Sequence, residues 1–228
     1  MQSKIATWST SDPRKRFDRM LRLIAHREWL HEAARITLSS KGASTARIDG
    51  EHKATIEGSL EQYVEEIRKE LLAGSYEPQA ARRVYIPKPN GKQRPLGIPT
   101  LRDLIVQRAM LMAMEPIWES DFHRLSYGFR PERSVHHAIR TVQLQLQDGT
   151  HTAGRWVIEG ALSSYFDTVH HKKLMQCVRK RIHDRRFLAL LWRFLKAGHL
   201  DRGLFRAAEE GVPQGGVLSH SKEYTRGL

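Results

Sequence analysis

The sequence has a single cysteine and no long apolar run, and each shortage excludes a class of protein. Cys177 is its only thiol, so an internal disulfide framework and a cysteine-based zinc cluster are both excluded. A helix that spans a bilayer needs roughly 20 apolar residues, and the first residues lack the apolar core of a secretory signal. We therefore expect a cytoplasmic protein that makes no membrane contact.

Acidic residues are too few to balance the basic ones, and the imbalance lies in one part of the chain. Lys and Arg number 38 against 25 Asp and Glu, which gives a net charge of +13 at pH 7. Residues 1–80 have a net charge of +1, whereas residues 81–228 carry 25 basic and 13 acidic side chains. This excess indicates a polyanionic partner. Nucleic acid is favoured over a membrane because no basic amphipathic helix with an aromatic apolar face stands out in the sequence.

Apolar periodicity predicts several helices and one clear hairpin. Residues 83–87 alternate as a strand, and residues 88–92 are a predicted turn. Residues 93–98 can return antiparallel, with Pro95 confining them to an edge strand or an irregular strand. A further, buried strand is predicted at 156–162.

Helices are predicted on both sides of this hairpin, separated near the amino terminus by a polar loop at 39–58. The first predicted helix covers 1–38, with a start signal at Ser11-Asp12-Pro13, and the second covers 59–74, with a capping box of Ser59 and Gln62 and a stop at Gly74. A third starts at Thr100 with Asp103 and runs to 114, and further helices are predicted at 171–182 and 187–195. Another helix starts at Ser134, and its predicted buried residues are Val135, Ala138, Ile139, Val142 and Leu146.

Five stretches of the sequence carry a resemblance to a known family. They are KGASTARIDG at 41–50, IPKPNGKQRPLGIPT at 86–100, SYGFRPERS at 126–134, YFDTVHHKKLM at 165–175 and GVPQGGVLS at 211–219. In this order they resemble the reverse transcriptase domain of group II intron-encoded proteins, the maturase family. An unrelated basic module such as a helix-turn-helix would leave the five ordered stretches unexplained.

The resemblance implies an α/β fold, namely the fingers and a partial palm of a right-hand polymerase with an N-terminal helical extension. It implies an extension at 1–80, fingers and partial palm at 81–219, and an unrelated tail at 220–228 after truncation. It also implies RNA-directed DNA synthesis, with Mg²⁺ as the cofactor in the family. The expected partner is RNA, either intron RNA or a template, together with a DNA primer.

The resemblance also assigns roles to side chains. Lys88 and Arg94 correspond to the basic residues that hold the incoming triphosphate, Phe166 to the aromatic residue under the sugar, and Gln214 to the glutamine beside the nucleotide. The basic residues expected to follow an RNA backbone are Arg82, Arg83, Lys92, Arg130, Arg133, Lys172, Lys173, Arg179, Lys180 and Arg181.

The sequence departs from the family at the positions that bind metal. Ala161 occupies the place of the aspartate that opens the third stretch, and none of the nine aspartates is followed by another. Asp167 is expected to be a supporting carboxylate or a helix cap. The histidine pairs 136–137 and 170–171 diverge by about 100° on a helix, so neither is predicted to bind a metal. We expect no productive Mg²⁺ binding and no polymerase activity.

Two alternatives remain open for the function of such a chain. One is an RNA-binding module with maturase-like or chaperone action. The other is a non-functional remnant whose basic surface binds any polyanion. Selective binding of a structured intron RNA would distinguish the first from the second.

Overall fold

The computed structural model describes residues 1–87, 91, 93–147, 156, 158–162 and 165–212. Within these residues, every helix is too short or too polar to cross a bilayer. The elements in chain order are α1 (Gln2–Ser11), α2 (Met20–Ile24), α3 (Arg27–Leu38), a short 3₁₀ helix (Lys41–Ser44), α4 (Lys53–Glu57), α5 (Leu60–Ala73), β1 (Ala81–Pro87), β2 (Gln93–Ile98), α6 (Leu101–Glu119), α7 (Val135–Gln147), α8 (His171–Arg181), α9 (Arg185–Lys196), β3 (His199–Asp201) and β4 (Leu204–Arg206).

The four strands form one sheet in the order β2-β1-β3-β4. The predicted hairpin is confirmed, since β1 and β2 pair antiparallel from Arg82 opposite Ile98 to Pro87 opposite Gln93. Pro95 lies on β2 at the edge of the sheet, as predicted, because its nitrogen carries no hydrogen for a further partner strand. Strand β3 pairs with β1 in parallel, and β4 pairs with β3 antiparallel.

Helix α6 is the centre of the hydrophobic core and packs against α1, α2 and α3. Its predicted start is confirmed, because the Thr100 side chain accepts a hydrogen bond from the Asp103 backbone N–H. The helix continues past the predicted end at Met114 and contains Pro116. A proline lacks the N–H that would bond the carbonyl four residues back. That carbonyl, of Met112, instead accepts a hydrogen bond of 3.0 Å from the Gln2 amide.

The amino-terminal helices differ from the prediction for residues 1–38. The Ser11-Asp12-Pro13 stretch ends α1 rather than starting a helix, and three helices replace the one expected. The Asp12 side chain accepts a hydrogen bond from the Arg14 N–H, the pattern of a turn. Since the core is one cluster that includes residues from both sides of position 80, the amino-terminal helices pack directly on the rest of the chain.

The ends of the helix predicted at 59–74 are confirmed, but the predicted capping box at its start is not. Gly74 ends α5 in the left-handed region at φ 77°, as expected for a glycine stop. Ser59 lies at the amino end, but its side chain makes no cap hydrogen bond. The reciprocal cap forms instead at His52 and Thr55, at the start of α4 in the stretch predicted to be a loop.

Helix α7 is confirmed, but its predicted buried face is wrong. Val135 is 72% exposed, and Ile139, Val142 and Leu146 are also exposed. The strand predicted at 156–162 is absent from the described residues of that stretch, where Trp156 and Ile158 are each 96% exposed. An apolar stripe shows which face of an element is suited to packing, whereas burial needs a facing surface, which α7 lacks in the described part of the chain.

Candidate nucleotide- and RNA-binding site

The hairpin of β1 and β2 carries the part of the predicted nucleotide site that the structure describes. Arg94 lies opposite Ile86 in the register and its side chain is exposed near the turn end of the hairpin. Lys88 and Gln214, predicted to act beside it, lie outside the described residues, as does Lys92. Arg94 is therefore the one predicted triphosphate contact whose position can be described.

The two adjacent arginines of β1 lie on opposite faces of the sheet. Arg82 shares a face with Arg94, because residues opposite one another in an antiparallel pair point the same way. Arg83 lies on the other face, which it shares with Tyr85. There the Tyr85 hydroxyl donates to the Asp201 carboxylate at 2.9 Å. A single RNA strand along one face would therefore contact one of these arginines, not both.

Arg47 is a cationic neighbour of Arg82 and lies outside the set of predicted RNA-binding residues. Burial lowers the pKa of Arg47, and the charge of Arg82 lowers it further against the opposing effect of Asp49. One Arg47 Nη donates to the Gly42 carbonyl at 2.8 Å. The Nε atoms of Arg47 and Arg82 are buried and have no hydrogen-bond partner among the described residues. The signal for Arg47 was its place in the first family stretch, 41–50.

The start of the fourth family stretch lies against the third. The Val212 N–H donates to the Phe166 carbonyl at 2.8 Å, and the Gly211 N–H donates to the Val169 carbonyl at 2.9 Å. Phe166 is half-buried and its ring meets Tyr165 edge-on at 6.2 Å. The structure thus brings the predicted sugar-contacting residue to the segment that leads toward position 214.

Asp167 does not act as the helix cap expected of it. The N-cap of α8 is His170, whose side chain accepts from the Lys173 N–H, and Asp167 lies exposed three residues earlier. Its carbonyl oxygen, not its carboxylate, is what approaches Gly211.

Gly211 allows this close approach, and we expect its replacement by alanine to separate the two stretches. Its φ is +77°, and an added Cβ would lie 2.8 Å from the Asp167 carbonyl oxygen. We expect Gly211→Ala to lower the free energy of unfolding in urea by about 2–4 kcal/mol, through backbone strain and overpacking together.

Gly203→Ala is the matched control for this substitution. Gly203 has a similar φ of +81° but nothing within 4 Å of an added Cβ. Backbone strain alone should cost about 1 kcal/mol at Gly203. Equal costs at the two positions would contradict the close contact at Gly211.

His171 fixes the same junction and makes its stability dependent on pH. Its buried Nε2 donates to the Gly211 carbonyl at 2.6 Å, while its buried Nδ1 has no partner among the described residues. Burial lowers the pKa of His171, opposed by the Gly211 hydrogen bond. A folded-state pKa below the unfolded value means that the unfolded chain binds the proton more readily. Stability is then present above the unfolded pKa and is lost as the pH falls through and below it.

We therefore expect the free energy of unfolding to decrease as the pH is lowered from about 7.5 to about 5, the range around an ordinary histidine pKa. Burial also lowers the pKa of His199, which contributes in the same direction. His171→Asn should reduce this pH dependence, whereas His183→Asn, at an exposed side chain, should leave it unchanged. A pH dependence that is identical in His171→Asn and the unmodified protein would exclude this role.

The predicted RNA-binding arginines Arg130 and Arg181 are buried, which corrects the expectation that they follow an RNA backbone. Arg130 forms an ion pair of 2.6 Å with Glu119, and its guanidinium lies over the Phe122 ring. Arg181 pairs with Asp121 and donates to the Lys15 carbonyl. Both guanidinium groups join segments of the fold, so neither is available to a phosphate.

The other predicted basic side chains on α8 are exposed. Lys172, Lys173, Arg179 and Lys180 form no ion pair with another described residue. Arg133 is also exposed, and its guanidinium lies over the Tyr127 ring at 5.6 Å. The four α8 cations form a surface that is free to contact phosphate, and we call it the α8 basic surface.

The described residues do not fit a divalent metal. Hard cations such as Mg²⁺ need several oxygen ligands that meet at one point. Ala161 lies in an exposed segment without regular structure and offers only a methyl group. Among the residues that the structure covers, no three His, Cys, Asp or Glu side chains lie close enough to share an ion. A divalent ion therefore lacks a set of converging ligands among the described residues.

Comparisons with known proteins agree with the stretches identified in the sequence. The family model described as "Reverse transcriptase (RNA-dependent DNA polymerase)" matches residues 86–221. Protein YkfC of Escherichia coli strain K12 is 69% identical over 219 residues, which are 96% of this chain and 58% of YkfC. The group II intron-encoded protein LtrA of Lactococcus lactis subsp. cremoris is 37% identical over 204 residues, which are 89% of this chain and 33% of LtrA.

A solved structure supports the fold at lower identity. A chain of the partial Cas6-RT-Cas1--Cas2 complex superposes with a TM-score of 0.55 at 21% identity, covering 90% of the present chain and 33% of that one. The α/β arrangement of helices around a small sheet is thus shared with a reverse transcriptase-containing protein. The present chain spans between a third and three fifths of the length of these relatives.

Proposed function

Because this chain belongs to the reverse transcriptase family, and within it to the group II intron-encoded proteins and maturases, we propose that it binds RNA and does not synthesise DNA. The proposal includes three regions, namely an extension at 1–80, fingers and partial palm at 81–219, and a tail at 220–228. The cytoplasm is the proposed location, and a DNA primer is a proposed second partner.

The observation that carries RNA binding is the α8 basic surface. Its four cations are exposed and make no ion pair within the described part of the chain, so their charge is not neutralised internally. Phosphate groups supply most of the affinity in sequence-independent RNA binding, through release of counterions. The net charge of +13 also favours a polyanionic partner, and the exposed Arg94 on the hairpin is a further cation.

The proposal that the chain does not synthesise DNA rests on the residues expected to bind metal. Reverse transcriptases generally use Mg²⁺, and phosphoryl transfer by two metals needs carboxylates that hold both ions. Ala161 removes one of those carboxylates, and the chain has no paired aspartates. Arg94 and Phe166, together with Lys88 and Gln214, retain the residue types for holding a nucleotide, because phosphate and base contacts are separate from metal ligands.

Two forms of RNA binding differ in their selectivity. A maturase-like or chaperone role needs preference for a structured intron RNA, whereas generic polyanion binding needs none. The matched family stretches extend over most of the chain, which favours a surface shaped for RNA.

Equilibrium binding to a group II intron RNA, an unrelated RNA of equal length and heparin tests the proposal. We expect the intron RNA to bind at least about tenfold more tightly than the other two, a difference of 1.4 kcal/mol. Equal affinities for all three would support generic polyanion binding instead. Absence of RNA binding would reject the proposed function.

A further inference from the structure

A groove of about 800 Å³ runs between α8 and α9. Each helix contributes residues at positions i, i+3, i+4 and i+7, from Lys172 to Arg179 on α8 and from Arg185 to Trp192 on α9. Residues at this spacing lie along one face of a helix. The groove is thus built from two facing helical stripes.

The floor of this α8–α9 groove is apolar. Met175 and Leu188 are buried, and Trp192, which also lines the groove, is half-buried. Ala189 is exposed on the same stripe and leaves space above the floor. A flat, apolar group could therefore enter the groove without displacing the core.

The rim of the groove is cationic. Lys172, Arg179 and Arg185 are exposed and make no ion pair with any other described residue. None of the described lining residues carries a carboxylate. The nearest acid in sequence, Asp184, is already committed, since it accepts hydrogen bonds from the Leu21 and Phe187 N–H groups. The rim thus keeps its positive charge.

We propose that the α8–α9 groove binds single-stranded RNA, with an unpaired base against the floor beside Trp192 and the flanking phosphates along the rim. The inference rests on the proposed function of RNA binding and assigns it a site. An apolar floor with an aromatic side chain accepts the face of any base, and basic residues beside it follow the backbone. A duplex hides its base faces by stacking, so the groove selects unpaired RNA.

An acidic amphipathic helix is the other occupant that an apolar floor and a cationic rim would suit. RNA is favoured because the positive charge does not stop at the rim. Lys173 and Lys180 lie beside the rim residues on α8, exposed and outside the groove. A phosphate backbone continues past a bound base and would use these cations, whereas a helix seated in the groove would leave them unpaired.

Two sets of variants test the groove by anisotropy with a short labelled oligouridylate. Ala189→Trp places an indole over the floor of the groove without changing charge, and it should weaken binding of the oligouridylate about tenfold, as expected for loss of one base contact. Binding of an RNA duplex of equal length should change less than about twofold, because the outer cations remain. Circular dichroism and the urea midpoint verify the fold of each variant.

The second set compares the same charge reversal inside and outside the groove. Arg179→Glu alters a lining residue, and Lys180→Glu alters its exposed neighbour outside. We expect Arg179→Glu to weaken oligouridylate binding at least about fivefold more than Lys180→Glu does. This pair decides the question even if Ala189→Trp does not fold.

The outcomes separate the groove from the broader function. Unmodified protein that binds no RNA would reject RNA binding and the groove together. RNA binding that is equal in Arg179→Glu and Lys180→Glu, or unchanged in Ala189→Trp, would reject the groove alone. An acidic amphipathic peptide that binds the unmodified protein but not Ala189→Trp, with RNA affinity unchanged, would assign the groove to a protein partner instead.

Discussion

Purified 228-residue protein should extend no oligo-dT primer on a poly-rA template, with either magnesium or manganese present. The two ions of a polymerase supply most of the charge stabilisation in the transition state, and they act only where carboxylates hold them. The family resemblance places Ala161, which offers only a methyl group, at one expected ligand position, and none of the nine aspartates is followed by a second. No three potential ligands converge in the described part of the chain.

Restoring one carboxylate should not restore synthesis. Ala161→Asp adds a single ligand, whereas two ions need several that converge, so the variant should remain at background in the same assay. A reverse transcriptase with intact paired aspartates serves as the positive control. Extension by the unmodified protein that survives removal of contaminating polymerases would contradict the inactive assignment.

RNA affinity should fall steeply as salt is raised. Each phosphate neutralised on a single strand contributes about −0.7 to the slope of log affinity against log salt. Contact by all four cations of the α8 basic surface gives a slope of about −3, so affinity should fall about fiftyfold between 50 and 200 mM salt. Filter binding or anisotropy across this range measures the slope.

A single lysine substitution tests whether α8 provides these contacts. Lys173→Ala should make the slope shallower by about 0.7, the share of one phosphate. Lys69→Ala removes an exposed lysine from α5, in the part of the chain where acidic and basic residues nearly balance, and should leave the slope unchanged. A slope near zero in the unmodified protein, or equal slopes for the two variants, would contradict phosphate contact by α8.

The hairpin and the two carboxy-terminal helices could be predicted because their signals are local. The predicted turn at 88–92 indicates where the chain reverses, and Pro95 indicates which edge of the hairpin has no further partner strand. Helices α8 and α9 carry their apolar stripes at helical spacing within about 12 residues each. Local geometry alone determines these elements.

Burial of charge could not be predicted in the same way. Arg130 and Arg133 differ by three positions in one motif, yet Arg130 is buried against Glu119 and Arg133 is exposed. Arg181 pairs with Asp121, 60 residues away in the chain. A sequence shows that a residue is charged, but its neighbours in space decide whether the charge is available to a ligand.

The sequence motifs predicted which stretches form the candidate site, but not which side chains pack together there. The family stretches identified Phe166 and the segment beginning at Gly211, and the hydrogen bond between the Val212 N–H and the Phe166 carbonyl joins them. Arg47 was overlooked because nothing in the order of residues indicates that its loop lies beside Arg82. The α8–α9 groove was missed for the same reason, since each stripe is visible alone but their juxtaposition is not.

RNA binding without DNA synthesis is tested most directly by measuring both on one preparation. The protein is titrated into labelled poly-rA annealed to oligo-dT, anisotropy reports binding, and the same samples are then supplied with dTTP and magnesium. We predict saturable, salt-sensitive binding and no extended primer. Extension of the primer, or no binding at low salt, would contradict the account.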